Sequence, residues 1–524
     1  MKKLIQVFLV IIIPEIVIFS LIWFINPDKV PMPFNIEEII VTDLEKMPAD
    51  HSSFEELNKD FKTGQEVTEA CLGCHTGRGQ EFMKSVHWQW LKHDTLINGD
   101  KVILGKKNVP NNFCIGVTSN MNYCSKCHAG YGWTDNSFDF KNPKNIDCLV
   151  CHDNTRMYKK TYQGLPDPKV NLKLVAQKVG HPTKQNCGHC HYQGAGKDNG
   201  KHGDLSKELN NCERDFDVHM NAKGKNMSCT KCHITQNHTI RGNMYTTSTS
   251  NENRATCTEC HTSAPHKSKT LNSHFNQIAC QTCHITKYAT DAHTFVWWDW
   301  TNAATKKNGE VYADEKHITP DSTVLDDTKH GQQIYVKNQK PNYIWFNGNA
   351  KIHMFDDKIT ESPLVMNKLY GSYADNITPM DPKNPSKIFP VKIMRGKQPY
   401  DLKNKTLIQV NTFGAEGTGA LWGDWDWDKA INNGMKAIGM PYSGSFGFVE
   451  TVSYWPLNHT VTPSETSLKC EDCHSKHSVL EGLNKVYIPG RDRHIAIEAG
   501  GLILIILTFL GVVGHAILRM RAKN

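Results

Sequence analysis

Cysteine and histidine recur in this sequence at one fixed spacing, Cys-x-x-Cys-His, and the pattern occurs eight times. Two thiols at this spacing form thioether bonds to the two vinyl groups of one haem, and the adjacent histidine ligates the iron. Zinc would need such half-sites in pairs, and disulfides would not need the histidine. The sequence therefore predicts eight covalently attached haem c groups. Motifs 1 to 8 contain, in order, Cys71, Cys74 and His75; Cys124, Cys127 and His128; Cys148, Cys151 and His152; Cys187, Cys190 and His191; Cys229, Cys232 and His233; Cys257, Cys260 and His261; Cys280, Cys283 and His284; Cys470, Cys473 and His474.

Histidines outside the motifs are numerous enough to supply second axial ligands, since the chain has 26 histidines and the motifs use eight. A haem that only transfers electrons needs such a distal ligand, whereas a catalytic haem keeps an open or exchangeable position. With seven distal histidines for eight haems, one haem would have no histidine as its second axial ligand. We predict distal ligands at His87, His202, His219, His238, His266, His274 and His459; we assign His51, His317, His330 and His353 to the surface or to pockets, with His181 and His477 as substitutes.

Two of the 18 cysteines, Cys114 and Cys212, are not used by the motifs. Cys114 precedes motif 2 by ten residues. A thiol near an open iron could attack a sulfur–sulfur bond or hold a sulfur intermediate. A disulfide between Cys114 and Cys212 is the main alternative, because disulfides form readily outside the cytoplasm. A buried, inert thiol is a third possibility.

The composition predicts a multihaem cytochrome c that is mainly α, with much irregular structure, few short strands and a transmembrane helix at each end. Only 39% of the 524 residues are hydrophobic, so packed haems are expected to replace much of the ordinary core. Motifs 1 to 7 are closely spaced, whereas residues 285–469 carry none. We predict an anchor at 1–28, a cluster of haems 1–7 with the active site at 45–300, a haem-free covering lobe at 301–465, a haem 8 region at 466–490, and a second membrane helix with a cytoplasmic tail at 491–524.

Two apolar runs, Leu4–Ile25 and Ile495–Leu518, are long enough to cross a bilayer. Basic residues precede the first run and follow the second, which places both chain ends in the cytoplasm. Haem c is attached outside the bacterial cytoplasm, so we expect the haem body to face the periplasm from the inner membrane. The first run is interpreted as an uncleaved anchor, with a cleaved signal peptide as the alternative. His494 and His515, at the ends of the second run, could ligate a shared b-type haem or lie at the membrane interfaces.

The formal charge of +7 suggests an acidic partner or a membrane surface. Each ferric haem adds about one negative charge through its propionates, which brings the loaded protein close to neutral. Nucleic-acid binding is therefore not predicted. Local basic regions can still attract a small anionic substrate.

Several further stretches, spread over roughly residues 55–475, are distinctive in sequence. They are Phe61–Thr68, Asn112–Asn120, Cys127–Trp133, Cys148–Asp153, Lys201–Leu205, Asp217–Met220 and Leu457–Val461. Together with the motifs, these stretches resemble the octahaem tetrathionate reductase family of c-type cytochromes. The resemblance implies seven haems with two histidine ligands and one catalytic haem at motif 2. It also implies that Lys201 ligates that iron and that Cys114 lines the pocket, and Asp153 is a candidate proton donor there. The membrane segments and Cys212 depart from the family pattern.

The expected function is reduction of a small sulfur or nitrogen oxyanion, with tetrathionate, nitrite and hydroxylamine as the substrates to consider. Electrons would come from quinol through a membrane cytochrome, or from a periplasmic cytochrome. Haem nitrite reductases normally carry Cys-x-x-Cys-Lys, which this sequence lacks. The alternative is a non-catalytic electron-transfer module, linking the quinone pool to periplasmic acceptors, in which all eight irons have two protein ligands.

Overall fold

The computed structural model describes residues 49–522, except 97, 112–114, 195–196, 307, 313–314, 372–384 and 485. The anchor predicted at 1–28 lies outside the described residues. So does Cys114, and with it the choice between a free thiol and a disulfide to Cys212.

Most helices are short, and several carry a haem-attachment motif at one end. A helical turn places residues i and i+3 on one face, so the two cysteines of a motif point the same way. Motifs 2, 5 and 6 use 3₁₀ turns instead, at Ser125–Cys127, Cys229–Lys231 and Cys257–Glu259. The helices are α1 (Gly64–Cys74), α2 (Arg78–Phe82), α3 (Val86–Gln89), α4 (Met121–Cys124), α5 (Leu149–His152), α6 (Leu172–Gln177), α7 (Lys184–His191), α8 (Lys269–Ser273), α9 (Cys280–His284), α10 (Leu421–Asp424), α11 (Trp427–Ala437), α12 (Cys470–Cys473) and α13 (Ile495–Arg521).

The strands exceed the few short ones that the sequence predicted, because the motif-free part of the chain forms a large sheet. Two small hairpins, β1–β2 and β3–β4, lie among the motifs. The other nine strands form one sheet in the order β10-β11-β13-β12-β5-β8-β7-β6, with β9 also paired to β12. The strands are β1 (Lys92–Thr95), β2 (Lys101–Leu104), β3 (Thr235–Gln236), β4 (Thr239–Ile240), β5 (Thr294–Asp299), β6 (Glu315–Ile318), β7 (Ser322–Asp327), β8 (Gly331–Val336), β9 (Asn342–Phe346), β10 (Ala350–Ile352), β11 (Leu364–Leu369), β12 (Lys387–Asp401) and β13 (Phe446–Pro456).

This sheet lobe, from β5 to β13, begins a few residues before the predicted boundary at 301. Its core lies between the sheet and helices α10 and α11. Helix α11 is capped at its N-terminus by Asp426, whose side chain accepts from the Lys429 amide, and the helix buries Ala430, Ile431 and Met435 along one face. Those residues pack with Trp298, Trp300 and Trp455 of the sheet. The lobe thus has an apolar core of its own, whereas the region of motifs 1 to 7 is built around cavity space.

Helix α13 is the one helix of the described residues that is long and apolar enough to cross a membrane. The helix has 27 residues, and its most apolar 18-residue stretch has a mean hydropathy of 2.5 and is not buried against the rest of the chain. At 1.5 Å per residue the helix is about 40 Å long, which exceeds the ~30 Å bilayer core. Arg519 and Arg521 lie in its last turn. The helix agrees with the second membrane segment expected from the sequence.

Candidate functional site

One continuous cavity, of about 4060 Å³, runs through the motif-bearing part of the structure. Ordinary small-molecule pockets occupy about 300–1,000 Å³, so this space could hold several large ligands. All 16 motif cysteines line the cavity. So do the motif histidines, with the exception of His128. The arrangement is the one expected if the cysteines are attachment points for haems that fill the space.

Six motif histidines face a second histidine across this cavity at nearly constant separation. Two metal–nitrogen bonds of about 2.0–2.1 Å on opposite sides of one ion, plus about 1.1 Å from each nitrogen to its ring centre, give roughly 6.2–6.4 Å between ring centroids. The observed separations match this value, and the side chains therefore fit haem irons with two histidine ligands. The pairs are His75 with His51 (6.3 Å), His191 with His87 (6.2 Å), His233 with His459 (6.2 Å), His261 with His219 (6.0 Å), His284 with His266 (6.3 Å) and His474 with His274 (6.2 Å).

Hydrogen bonds to the second ring nitrogen orient several of these histidines. Nδ1 of His152 lies 2.8 Å from the Gly180 carbonyl oxygen, and Nδ1 of His474 lies 2.9 Å from that of Pro489. A histidine that donates from Nδ1 keeps Nε2 free as the ligating atom. Burial lowers the pKa of His87 to about 4 and of His191 to about 3, so both rings are in the neutral, ligating form.

The pairing differs from the sequence-based assignment at two positions. His51 was assigned to the surface or to a pocket, yet its ring stacks 6.3 Å from His75. His202, which was predicted to be a distal ligand, packs edge-on against Trp455 at 5.2 Å. No spacing rule identifies His51, because a distal ligand can come from any part of the chain.

Motif 3 is left with one predicted distal histidine in its neighbourhood. His238 lines the cavity and, among the histidines, contributes most to lowering the pKa of His152, after burial itself. Nδ1 of His238 lies 3.2 Å from a carboxylate oxygen of Glu81. His238 is therefore the best distal ligand for motif 3.

Motif 2 is different, because His128 lies in an aromatic enclosure. Its Nε2 atom is 2.6 Å from the Trp88 carbonyl oxygen, and the side chain is fully buried. A Cβ atom on Gly130 would lie 2.7 Å from the imidazole, so only glycine leaves room for this orientation. The enclosure consists of Trp88, Trp90, Trp133, Phe138 and Phe140, with ring centroids 4.7–6.0 Å from His128.

A buried ion pair fixes the backbone of the same motif. Lys160 donates to the carbonyl oxygens of His128 and Gly130, and its ammonium lies 2.8 Å from the carboxylate of Asp147. Both side chains of the pair are fully buried. Tyr131 and Tyr158 donate to the same carboxylate at 2.8 and 2.9 Å. These contacts hold His128 with its ligating nitrogen engaged by a carbonyl group.

Lys201 occupies the cavity near motif 2, where the sequence resemblance places an iron ligand. Its ammonium lies 5.4 Å from the centroid of the Trp455 ring. Burial lowers the pKa of Lys201 to about 7, with a smaller contribution from the charge of Lys106. A Cβ atom on Gly194 would lie 2.1 Å from the Cβ atom of Lys201, so glycine permits this close approach. A substantial fraction of Lys201 is thus neutral near pH 7, and a neutral amine can donate its lone pair to a metal.

The remaining predicted catalytic residues are less favourably placed or lie outside the described residues. Asp153 does not line the cavity; its carboxylate accepts from the amides of Thr155 and Tyr158 within its own turn. The Asp153 carboxylate therefore stabilises its own turn and does not contact the cavity in which a substrate would bind. Cys212 is 1% exposed, and burial raises the pKa of its thiol to about 11.

Neighbouring motifs approach one another closely through their cysteine side chains. The sulfur atoms stand for the thioether sulfurs of the loaded protein, so their proximity marks motifs whose haem edges would be adjacent. The closest pairs, in which one thiol is the main influence on the pKa of the other, join motifs 1 and 3, 2 and 4, 4 and 5, and 6 and 7: Cys71–Cys148, Cys127–Cys190, Cys187–Cys229 and Cys257–Cys280. Cysteines of motifs 5 and 6, and of motifs 7 and 8, are also near enough to influence each other's pKa: Cys232 with Cys260, and Cys473 with Cys283.

Comparison with known proteins agrees with this geometry. A family model described as bacterial cytochrome c matches residues 295–477. The structure is similar to an octahaem cytochrome c from Shewanella oneidensis, with a TM-score of 0.73 and 37% sequence identity, over 84% of this chain and 97% of that chain. An uncharacterised protein of Archaeoglobus fulgidus is 25% identical over 35% of this chain and 78% of its own length.

The cavity, its cysteines and the paired histidines define a multihaem c-type cytochrome. At 37% identity over nearly the whole of the Shewanella chain, the relationship extends well beyond a shared fold. The chain belongs to the octahaem cytochromes c.

Proposed function

We propose that the protein carries eight haem c groups and reduces a small sulfur or nitrogen oxyanion at motif 2. Tetrathionate, nitrite and hydroxylamine are the substrates to test. The observation that carries the proposal is the contrast at this motif: His128 is engaged by the Trp88 carbonyl outside the cavity, while Lys201 faces the cavity. A haem bound there would supply an iron that exchanges electrons and binds a small ligand.

The residues around motif 2 suit an anionic substrate. Lys106 and Lys126 line the cavity beside Lys201, and their charges act on the cysteines of the motif. A cationic wall with a low-dielectric surround attracts anions and raises their local concentration. Trp455 and Trp90 line the cavity nearby and exclude water from it. Lys201, as the protein ligand on one side of the iron, would leave the other side for substrate.

The order of neighbouring motifs supports electron delivery to motif 2. Neighbouring cysteines run from motif 8 through motifs 7, 6, 5 and 4 to motif 2. Motif 3 joins this series at motif 4, where Cys151 influences the pKa of Cys187, and motif 1 lies beside motif 3. Tetrathionate needs two electrons to give two thiosulfates, and nitrite needs more electrons and protons. A connected series of electron carriers provides them from a single entry point.

Motif 8 lies at the membrane end of the chain. Nδ1 of His474 contacts the carbonyl oxygen of Pro489, six residues before α13 begins. Arg491 closes the intervening loop by donating to the carbonyl oxygens of Leu480, Leu483 and Val486. We propose that α13 anchors the protein in the bacterial inner membrane with the haem body in the periplasm. Electrons would enter from a quinol-oxidising membrane cytochrome or from a periplasmic cytochrome.

One observation favours the alternative of a non-catalytic electron-transfer module. His202 lines the cavity directly beside Lys201 and packs against Trp455 instead of a motif histidine. If Lys201 and His202 both ligated the motif 2 iron, no exchangeable position would remain. The haems attached to these motifs would then transfer electrons without catalysing a reaction.

Spectroscopy of the ferric holoprotein separates the two functions. We expect cyanide, nitrite or hydroxylamine to change the optical and EPR spectra of one haem in eight. A protein with no ligand-responsive haem would be the electron-transfer module. A Lys201→Ala variant should change the spectrum of the same haem, whereas Lys207→Ala, an exposed control in the same loop region, should not. Assays with tetrathionate, nitrite and hydroxylamine side by side then rank the substrates.

A further inference from the structure

Strand β12 contains a lysine where the pattern around it is apolar. Residues 388–392 are all buried, and Lys392 itself is 0% exposed. A buried ammonium is costly unless hydrogen bonds or a counter-charge compensate it. The sheet lobe has a core without this residue. Lys392 therefore needs an explanation other than packing.

The ammonium of Lys392 reaches out of the sheet to the loop that carries Lys201. It donates to the Lys201 carbonyl oxygen at 2.8 Å, to Oγ1 of Thr294 at 2.6 Å, and to the Gly200 carbonyl oxygen at 3.4 Å. These acceptors are neutral oxygens. Asp204 lies close enough to favour the charged form of Lys392, and burial together with the charge of Lys201 opposes it.

The pairing of β12 with β13 brings a second contact to the same lysine. Lys392 lies directly opposite Trp455, so both side chains are on one face of the sheet. Lys392 binds the Lys201 backbone, while the ring of Trp455 lies 5.4 Å from the Lys201 ammonium. The haem-free lobe thus contacts Lys201 at its backbone carbonyl group, through Lys392, and at its side-chain ammonium, through Trp455.

The loop itself has the backbone of a tight turn. Asn199 has a φ angle of 59° and Gly203 one of 93°, both in the left-handed region. Nδ2 of Asn199 donates to the carbonyl oxygens of Gly203 and Ala292. Between these two positions, the hydrogen bonds of Lys392 fix the remaining peptide units.

We propose that Lys392 is a positioning residue of the motif 2 site, which holds the Lys201 backbone so that the Lys201 amine reaches the iron attached by motif 2. The proposal rests on the proposed function, in which Lys201 is the iron ligand. It gives the sheet lobe a role in haem ligation although the lobe carries no motif. A ligand held by a flexible loop would be displaced, and a shift of ~1 Å in a catalytic group can cost about 10²-fold in rate.

The test is Lys392→Met, which keeps the length of the side chain and removes its donors. The matched control is Lys397→Met on the same strand, where the lysine forms a partly exposed ion pair with Asp299 at 3.3 Å. We expect K392M with eight attached haems to lose the amine-ligated signature of haem 2 in optical and EPR spectra. The other seven haems should keep their spectra, and turnover of nitrite or tetrathionate with reduced methyl viologen should fall about 10²-fold. K397M should retain both.

A purely structural role would lower the melting temperature of K392M and leave the spectrum of haem 2 unchanged; this result would overturn the proposal. If K392M does not assemble, Lys392→Arg and Lys392→Gln, which keep N–H donors, are measured in the same way. Failure of all three to assemble would assign the residue to folding and reject the positioning role.

Lys201→Ala, measured in parallel, keeps this proposal separate from the proposed function. An unchanged haem 2 in K201A would reject ligation by Lys201 itself. A changed haem 2 in K201A together with an unchanged haem 2 in K392M would reject only the positioning role.

Discussion

Motifs 2 and 4 have the same attachment sequence but opposite surroundings. His128 and His191 are both buried, and burial lowers the pKa of each to about 3. His191 nevertheless faces His87 across the cavity, whereas His128 faces away from it, into an enclosure of aromatic rings. The same motif thus presents its histidine to the cavity at one site and turns it away from the cavity at the other, and the residues packed around the histidine decide between the two arrangements.

The largest expected difference is between replacements of these two histidines. His191→Ala should remove a ligand from the haem at motif 4, convert it to a ligand-responsive form, and interrupt the series of carriers next to motif 2. Replacing a residue that only hydrogen-bonds to a metal ligand already costs about 10–100-fold in metal affinity or activity, so loss of the ligand itself should lower turnover by at least that factor. His128→Ala should leave all eight haem spectra close to those of the unmodified protein. Optical and EPR spectra check both variants.

If the His128→Ala protein loses the signal of one low-spin haem, His128 is an iron ligand, and the proposed difference between motifs 2 and 4 is wrong. Mass analysis of attached haems is the control, because a variant with fewer haems would change its spectrum for another reason.

Gly130→Ala tests whether the aromatic enclosure holds His128. The new Cβ atom would meet the His128 imidazole at 2.7 Å and the Trp88 ring at 2.9 Å. Overpacking of this kind costs about 1–3 kcal/mol, which a lower melting temperature would report. Displacement of the imidazole into the cavity would also give haem 2 a histidine ligand. Gly482→Ala, at an exposed position outside the motifs with open space around the added carbon, is the matched control. Equal stability of the two variants would argue against a tight enclosure.

The pH dependence of motif 2 should also differ from that of the others. Because burial lowers the pKa of Lys201 from 10.5 to about 7, the unfolded state binds more protons between these values, and this residue's contribution to stability rises with pH there. Protons compete with iron for the amine, so ligation is lost on acidification, at or below pH ~7. We expect one reversible spectral transition that Lys201→Ala lacks. A transition that persists in K201A would assign it to another group.

The sequence predicted haem attachment from a local motif, and all 16 motif cysteines line one cavity. Five of the seven histidines predicted as distal ligands lie opposite a motif histidine. His51 lies opposite His75 without having been predicted there, and His202 packs against Trp455, because distal pairing depends on contacts between distant parts of the chain. Nothing in motif 2 itself distinguishes His128 from the other motif histidines.

The sheet was underestimated for a related reason. Residues 388–392 of β12 are buried on both faces of the sheet, so this half of the strand lacks the alternation of apolar and polar residues that marks a half-exposed strand. The lysine at position 392 was visible as an isolated charge in an apolar segment, but its contact with the Lys201 loop required the fold.

A finer comparison concerns the haems with two histidine ligands. Nδ1 of His459 lies 3.1 Å from the buried carboxylate of Asp204, whereas Nδ1 of His474 lies 2.9 Å from a neutral backbone carbonyl oxygen. A carboxylate acceptor makes the imidazole more basic and stabilises ferric iron. Asp204→Asn should therefore raise the reduction potential of the haem at motif 5, by on the order of 50 mV if the hydrogen bond differs by about 1 kcal/mol. Spectroelectrochemical titration should show one shifted haem, and a titration curve that superimposes on that of the unmodified protein would show that the carboxylate does not tune this site. Glu81→Gln at His238 is the parallel variant, and it should shift the haem at motif 3 in the same direction.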